Sequence, residues 1–152
     1  FVRDPEMTKQ FLAIGRGGKK PRKDLALWSE TKAYMDFMFD ELFQPDYSGM
    51  PERAKADAKA ILTEYQDVYD AQDEMTVWFD KVKALAERNG FAPETKLYKK
   101  NPEQYKGPVG DISMVLRVAI CGRTNAPDLY SVMQLMPTEK IKARLAAACE
   151  AL

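Results

Sequence analysis

The strongest constraint on this fold is a helical repeat of apolar residues that begins after Pro51. An apolar side chain recurs every three or four residues over about four turns, which places the whole set on one face of an α-helix. Such a face is stable only when other elements bury it, so it demands partner helices. The residues of this face are Ala54, Ala58, Ile61, Leu62, Tyr65, Val68 and Tyr69.

Two helices are predicted before this face. Asp4, with Pro5 and Glu6 behind it, is a suitable cap for the first, and Gly15 ends it. Ser29 is a suitable cap for the second, which ends near Phe43. The predicted buried positions of the second helix are Thr31, Met35, Met38, Phe39 and Leu42.

Helical spacing returns twice after residue 70. Asp73 is the predicted cap of a helix that stops before Gly90, and Thr138 is the predicted first residue of the last helix. Aromatic residues at this spacing are ordinarily core residues, so both Trp78 and Phe79 are predicted to be buried. The full predicted faces are Met75, Trp78, Phe79, Val82, Leu85 and Ala86, and then Ile141, Leu145, Ala148, Cys149 and Leu152.

Residues 92–110 hold three prolines and are predicted to form a long connection between two lobes. Asp111 can cap a helix that ends at Gly122, although the apolar run 114–120 is equally compatible with a buried strand. Pro127 starts a further helical stretch. The sequence therefore predicts an all-α fold of two packed helical lobes, residues 1–91 and 92–152, with residues cut away before Phe1.

Charge is distributed unevenly although the formal net charge is zero. Residues 1–28 carry seven basic and three acidic groups, residues 29–95 carry seven and fifteen, and residues 96–152 carry nine and five. Positive ends around an acidic middle suit contact with a polyanion at separate places, and solvated surface charge is the alternative. No apolar run approaches the roughly 20 residues of a membrane-spanning helix, so no membrane partner and a cytoplasmic location are expected.

Much catalytic chemistry is excluded because the chain has no histidine. Histidine is the commonest general base and a frequent zinc ligand. The glycines and lysines at 16–20 lack the spacing of a phosphate-binding loop. Cys121 and Cys149 lie in apolar patterns and are expected to be reduced, buried thiols. No catalytic residue, metal site or cofactor is expected in this chain.

Two basic segments are candidates for phosphate contacts, because Lys and Arg neutralise phosphate charge and glycine lets the backbone come close. Tyr98 and Tyr105 accompany the second segment, a pattern compatible with stacking on unpaired bases. A solvated loop is the alternative for the first segment. The candidate phosphate-binding residues are Arg16, Lys19, Lys20, Arg22 and Lys23, and then Lys99 and Lys100.

Residues 116–130 read LRVAICGRTNAPDLY. This stretch resembles the Leu-Arg-x-Ala-Leu-Thr-Gly-x-x-x-x-Pro-x-Leu-Phe signature near the end of bacterial glutamyl-tRNA synthetases. The closing residues 141–145 are similar to the last helix of that family. Residues 21–43 resemble the preceding helical domain in a longer branch of it.

This resemblance implies an all-helical anticodon-binding region in two lobes, and it favours a helix over a strand at 114–120. It implies that the chain binds tRNA, most simply the glutamate tRNA, and not DNA, as a monomer. Carried over by position, the arginine of the signature is Arg117. The base-contacting turn of the family falls on Asn125, Ala126, Pro127, Asp128 and Leu129.

Two departures from the signature affect these expectations. Cys121 replaces the usual threonine, and Ala126 replaces a frequent serine or threonine, so any base contact at Ala126 uses the backbone.

The His-Ile-Gly-His-type and Lys-Met-Ser-Lys-Ser-type signatures of the catalytic core are missing from the chain. The resemblance therefore implies a glutamate-tRNA ligase only through a longer parent, whose catalytic domain uses ATP and Mg²⁺.

Other functions compete with this interpretation. A class I lysyl-tRNA synthetase has a C-terminal region of similar kind, and binding to glutamate and lysine tRNAs would separate the two. A helical protein-interaction or scaffold domain is a different class, in which the acidic residues 29–95 dock a basic partner. A stand-alone enzyme is disfavoured by the missing histidines and motifs.

Overall fold

The computed structural model of the chain describes residues 6, 10, 36–126 and 128–152. Within these residues the chain forms seven α-helices and no β-strand, which confirms the all-α prediction. No helix in this part of the chain is long and apolar enough to cross a membrane. The helices are α1 (Glu52–Lys55), α2 (Ala58–Val68), α3 (Met75–Arg88), α4 (Thr95–Lys100), α5 (Val109–Cys121), α6 (Leu129–Gln134) and α7 (Thr138–Ala151).

Most of the N-terminal predictions lie outside the described residues. These include the capping residues Asp4 and Ser29 and the basic segment 16–23. Glu6 and Gln10 are both helical, and Gln10 Nε2 donates a hydrogen bond to Glu6 Oε1 over 3.1 Å.

The apolar face after Pro51 is divided between two helices and not carried by one. Pro51 precedes α1 as predicted, but α1 ends at Lys55 and α2 begins at Ala58. Asp57, at the interruption, forms an ion pair with Lys106 Nζ over 2.9 Å. The predicted face is nevertheless buried, except that Val68 is only partly covered.

Helix α3 differs from its prediction at its N-terminal end. Glu74 is the capping residue, whereas Asp73 forms an ion pair with Lys81 Nζ over 2.6 Å. Trp78 is buried as predicted, but Met75 and Phe79 are 50% and 36% exposed, so their assignment to the core is wrong. The wrong assignment arose because spacing gives the direction of a face and not the length of the partner that covers it.

The C-terminal end of α3 follows its prediction closely. Gly90 adopts a φ of +85°, which residues with a Cβ rarely adopt. The amide of Phe91 donates to Ala86 O over 2.8 Å, and the amide of Gly90 donates to Glu87 O over 3.2 Å. These two bonds form a Schellman cap, and they direct Phe91 into the core.

Residues 92–110 are more ordered than a simple connection, and this prediction is corrected. They contain α4, and Ala92 forms a parallel bridge to Pro108. The Ala92 amide donates to Gly107 O over 2.9 Å, so the two ends of the segment lie together. The backbone therefore satisfies its hydrogen bonds locally where the prolines prevent a long helix.

Helix α5 resolves the ambiguity at 114–120 in favour of a helix. Its N-cap is Pro108, so Asp111 is a first-turn residue and not the predicted cap. The buried Asp111 carboxylate receives the Arg53 guanidinium at 2.9 Å from Nε and 3.2 Å from Nη2. This two-point ion pair ties α1 to α5.

Helix α7 begins at Thr138 as predicted and buries the predicted face, except for the exposed Leu152. The sequence analysis did not identify Arg144, which is only 4% exposed. Its Nη1 donates to Ile120 O over 2.8 Å, and its Nη2 lies 3.2 Å from Asp40 Oδ1. Arg144 therefore joins α7 to α5 and to the segment before Pro45.

The segment 36–50 is not the helix end that was predicted from Ser29. Its described part has a 3₁₀ turn at Asp36–Met38 and another at Tyr47–Gly49, and Leu42 is exposed. Lys140 Nζ donates to Met38 O over 2.9 Å. The Arg144 guanidinium carbon lies 3.8 Å from the centre of the Phe43 ring. Contacts with α7 thus determine the path of this segment.

One apolar cluster runs through the described residues, from Phe37 to Cys149. It includes helices from both predicted lobes, and the division at residues 91 and 92 stays a prediction. Cys121 and Cys149 are both buried free thiols, as expected.

Gly122 is predicted to be a position where only glycine is tolerated. Its φ is +69°, and an added Cβ would lie 2.7 Å from Pro45 Cα. We expect Gly122→Ala to lower the free energy of unfolding by at least about 2 kcal/mol, because left-handed strain adds to the clash. Gly110→Ala, in the first turn of α5 with open space around it, is the control. It should change stability by less than about 1 kcal/mol in urea denaturation. Equal losses for the two variants would contradict the prediction.

Stability is predicted to fall in alkali because of Cys121. Burial raises the pKa of this thiol to about 12. The unfolded chain loses the thiol proton first, so the contribution is complete below about pH 8.5 and is lost as pH rises toward 12. Urea denaturation at several pH values should show a loss of up to about 1.4 kcal/mol per pH unit from this group.

The matched variant for this test is Cys121→Ala. Between about pH 8.5 and 10 its stability should be nearly independent of pH. Above pH 10 both proteins should lose stability, because burial also raises the pKa of Tyr69 to about 12. If the free energy of unfolding of the unsubstituted chain does not change from about pH 8.5 to 10, the Cys121 thiol is not the cause.

Candidate nucleic-acid interface

Arg117 lies on the third turn of α5 and is partly buried. Its Nη1 donates a hydrogen bond to the carbonyl oxygen of Ala126 over 2.7 Å. The residue therefore reaches from the helix to the turn that follows it, nine positions later in the chain. This bond fixes the turn against α5, which gives Arg117 a positioning role that the sequence analysis did not include.

The predicted base-contacting turn is partly solvent-facing and partly core. Asn125 and Asp128 are exposed, and Ala126 is partly buried. Leu129 is only 3% exposed and belongs to the apolar cluster, so its side chain serves packing. Pro127 lies outside the described residues. The exposed members of the turn, and not Leu129, are therefore the ones that a ligand can reach.

Asp128 is the capping residue of α6. Its Oδ2 accepts hydrogen bonds from the Ser131 amide over 3.1 Å and from the Ser131 hydroxyl over 2.9 Å. The helix was predicted to start at Pro127, but this is corrected, because Asp128 is a non-helical cap and the helix begins at Leu129. The cap fixes where the turn ends and the helix begins.

Helix α6 is held in place by an aromatic cluster. Tyr130 donates its hydroxyl hydrogen to Asp73 O over 2.8 Å, and its ring centre lies 5.7 Å from that of Trp78. Trp78 Nε1 in turn donates to the Tyr65 hydroxyl over 2.8 Å. Burial raises the pKa of Tyr65 above its usual range, so its phenol stays protonated. These contacts lock α6, and with it the turn, onto α2 and α3.

A groove of about 470 Å³ opens beside Arg117. Its walls come from the first half of α3, from α5 and from the start of α6. Phe79 and Met75, the two residues wrongly assigned to the core, stand along it with their side chains part exposed. The lining residues are Met75, Thr76, Trp78, Phe79, Asp80, Lys83, Ser113, Arg117, Asp128 and Leu129.

The groove continues along α3 into two smaller hollows of about 400 and 280 Å³. Lys83 lines all three, and its Nζ lies 5.1 Å from the centre of the Phe79 ring. The smallest hollow reaches Lys96 of α4. An aromatic ring and cationic side chains thus lie together on one surface, a combination suited to unpaired nucleic acid. Acidic side chains also line it: Asp80, Glu87, Glu94 and Asp128.

The second basic segment is on α4. Lys99 and Lys100 are exposed in the last turn of this helix, as a phosphate contact requires, while the first basic segment, 16–23, lies outside the described residues. Tyr98 accepts a hydrogen bond from Arg53 Nη1 over 2.9 Å. This bond attaches α4 to α1 and does not support the stacking role that was predicted for Tyr98.

The structure brings Arg117, Asp128 and Leu129 to one groove, and it adds an aromatic and cationic wall from α3. The sequence signal for this wall was available, because Phe79 and Lys83 are four residues apart on one helix and Asp80 lies beside them. Sequence spacing assigned the aromatic residue to the core instead.

The chain belongs to the family described as the anticodon binding domain, which matches residues 22–149. Glutamate-tRNA ligase of Sorangium cellulosum is 42% identical over 146 residues, which are 95% of this chain and 26% of that protein. Glutamate-tRNA ligase of Acetivibrio thermocellus is 42% identical over 136 residues, which are 90% of this chain and 25% of that protein. The corresponding ligase of Clostridium perfringens strain 13 is 38% identical over 143 residues. No solved structure matches the chain significantly.

The chain spans about a quarter of the length of these relatives. The similarity therefore concerns the anticodon-binding part. The family assignment agrees with the resemblance found at residues 116–130.

Asp128 is predicted to matter for stability through its cap. We expect Asp128→Ala to lower the free energy of unfolding by about 1 kcal/mol, because the Ser131 amide loses its acceptor. Asp128→Asn should lose less than about 0.5 kcal/mol, because an amide oxygen caps a helix comparably. Chemical denaturation of both variants is the measurement. Equal losses in the two would indicate that charge and not capping is responsible.

Proposed function

We propose that this chain recognises the anticodon arm of the glutamate tRNA, as part of a longer glutamate-tRNA ligase. The observation that carries the proposal is the Arg117 bond to Ala126 O beside an open aromatic groove. The family assignment and the names of the relatives support it. An anticodon loop supplies unpaired bases, which proteins read by stacking and by hydrogen bonds to their edges.

The proposal divides the work between two kinds of contact. Exposed lysines such as Lys99 and Lys100, and the basic residues of 16–23, attract phosphates without reading sequence. The turn after α5 supplies the base-reading groups: the Asn125 side chain and the backbone near Ala126. Arg117 both places this turn and adds positive charge to the groove wall.

Catalysis belongs to the rest of the proposed parent protein. Ligation of glutamate to tRNA requires activation of the amino acid by ATP with Mg²⁺, and the signatures of that catalytic core are missing from these 152 residues. In the proposal the chain contributes recognition only, and it acts as a monomer in the cytoplasm. The isolated chain is expected to bind tRNA without charging it.

Arg117→Ala is the decisive variant for this proposal. We expect it to weaken binding of the 152-residue chain to glutamate tRNA by about tenfold, and to reduce the preference over an anticodon-mutated version. The reason is that the turn loses its anchor and the groove loses a positive charge. Filter binding or fluorescence titration over a range of salt concentrations is the measurement.

Lys100→Ala is the matched control, because Lys100 is an exposed cation outside the groove lining. It should weaken the binding of every tRNA equally and make the dependence on salt less steep. Arg117→Ala acting equally on all tRNAs would contradict base recognition. Tighter binding to lysine tRNA than to glutamate tRNA would point to a lysyl-tRNA synthetase as the parent.

A further inference from the structure

Three apolar side chains are exposed near the start of α3. Met75, Val77 and Phe79 are 50%, 44% and 36% exposed, although each is apolar. Phe79 lines the main groove and the smallest hollow, whereas Val77 is not among the residues that line the three hollows. The exposed ring therefore has a ready-made space in front of it.

We propose that this groove holds one unpaired base of the RNA, stacked on the Phe79 ring, with the adjoining phosphate paired with Lys83. This rests on the proposed function and deepens it, since it assigns a second recognition element to α3. The groove is continuous with the turn that Arg117 anchors, because Arg117, Asp128 and Phe79 all line it.

The contact between Lys83 and Phe79 shows how the site accommodates a base. Lys83 Nζ lies 5.1 Å from the centre of the Phe79 ring. An exposed contact between a lysine and a ring is weaker than base stacking, so a base displaces the ammonium from the ring face. The flexible lysine then moves its charge to the phosphate beside that base.

Asp80 selects the type of base. It lines the same groove, and it forms no ion pair or hydrogen bond with any described residue. A carboxylate accepts hydrogen bonds only and repels phosphate, so the base edge and not the backbone faces it. Adenine, cytosine and guanine carry an exocyclic amino group with two donor hydrogens, whereas uracil offers only its N3–H, so the first three are favoured.

The test uses glutamate tRNA transcripts that lack one base at a time in the anticodon loop, with their phosphates intact. For the unsubstituted 152-residue chain, loss of the base at one position should reduce tRNA affinity about tenfold. Phe79→Leu should reduce affinity for the intact tRNA by a similar factor. Removing that same base should then cause no further loss of affinity in Phe79→Leu, because both changes remove the same contact. Phe79→Tyr keeps the ring and should retain both the affinity and the sensitivity.

Val77→Ala is the matched control, because it removes an exposed apolar side chain from the same helix but not from the groove. It should leave every affinity unchanged. Thermal unfolding of each variant reports whether the fold is retained. At the position identified, uracil should bind more weakly than a base with an amino group, and Asp80→Asn should narrow that difference.

Three outcomes would overturn the stacking proposal, and a fourth would overturn only the role assigned to Asp80. The first is unchanged tRNA affinity in Phe79→Leu, and the second is an affinity loss in Phe79→Leu that adds to the loss at every abasic position. Either result leaves the proposed function intact if tRNA binding by the unsubstituted 152-residue chain still depends on the anticodon. Equal binding of all four bases would overturn the assignment to Asp80. Absence of tRNA binding by the unsubstituted 152-residue chain at low salt would overturn both this proposal and the proposed function.

Discussion

The burial of α5 is the constraint on which the rest of the structure depends. Nine of its thirteen residues are buried, so it needs neighbours on nearly every side. Helices α1, α2, α3 and α7 supply them, and α2 also packs along α7. Because apolar burial is the main favourable contribution to folding, this central helix determines where each of the others can lie.

Two ion pairs, each with one buried and one exposed partner, attach the periphery to this centre. Asp111 holds Arg53 and thereby α1, and Arg144 holds Asp40 and thereby the segment before Pro45. Burial lowers the pKa of Arg144, while the hydrogen bond that Arg144 donates to Asp40 opposes that shift, and the guanidinium stays charged. Its bond to Ile120 O also satisfies a backbone acceptor near the end of α5. Such groups are costly to bury unpaired, so each pair fixes one particular arrangement of the neighbouring segment.

The same arrangement explains how the proposed recognition surface forms next to a dense core. Gly122 ends α5 in a left-handed conformation, and the chain then turns back under the Arg117 guanidinium. Leu129 and Tyr130 fasten the far end of the turn into the apolar and aromatic clusters. A short turn held at both ends presents its exposed groups with little loss of entropy on binding, which favours selective recognition.

The sequence by itself determined the helical class, the principal buried faces, the glycine stops at Gly90 and Gly122, and the start of α7 at Thr138. These follow from local rules of spacing and capping that hold whatever the partners are. The resemblance at residues 116–130 also predicted Arg117 and the following turn as site residues. Only the tertiary structure decided that Phe79 and Met75 are exposed, that Leu129 is core, and that Arg144 and Asp111 are buried and paired. Those outcomes depend on how much of each helix is covered by residues that are distant in the chain. Local spacing carries no information about the extent of this coverage.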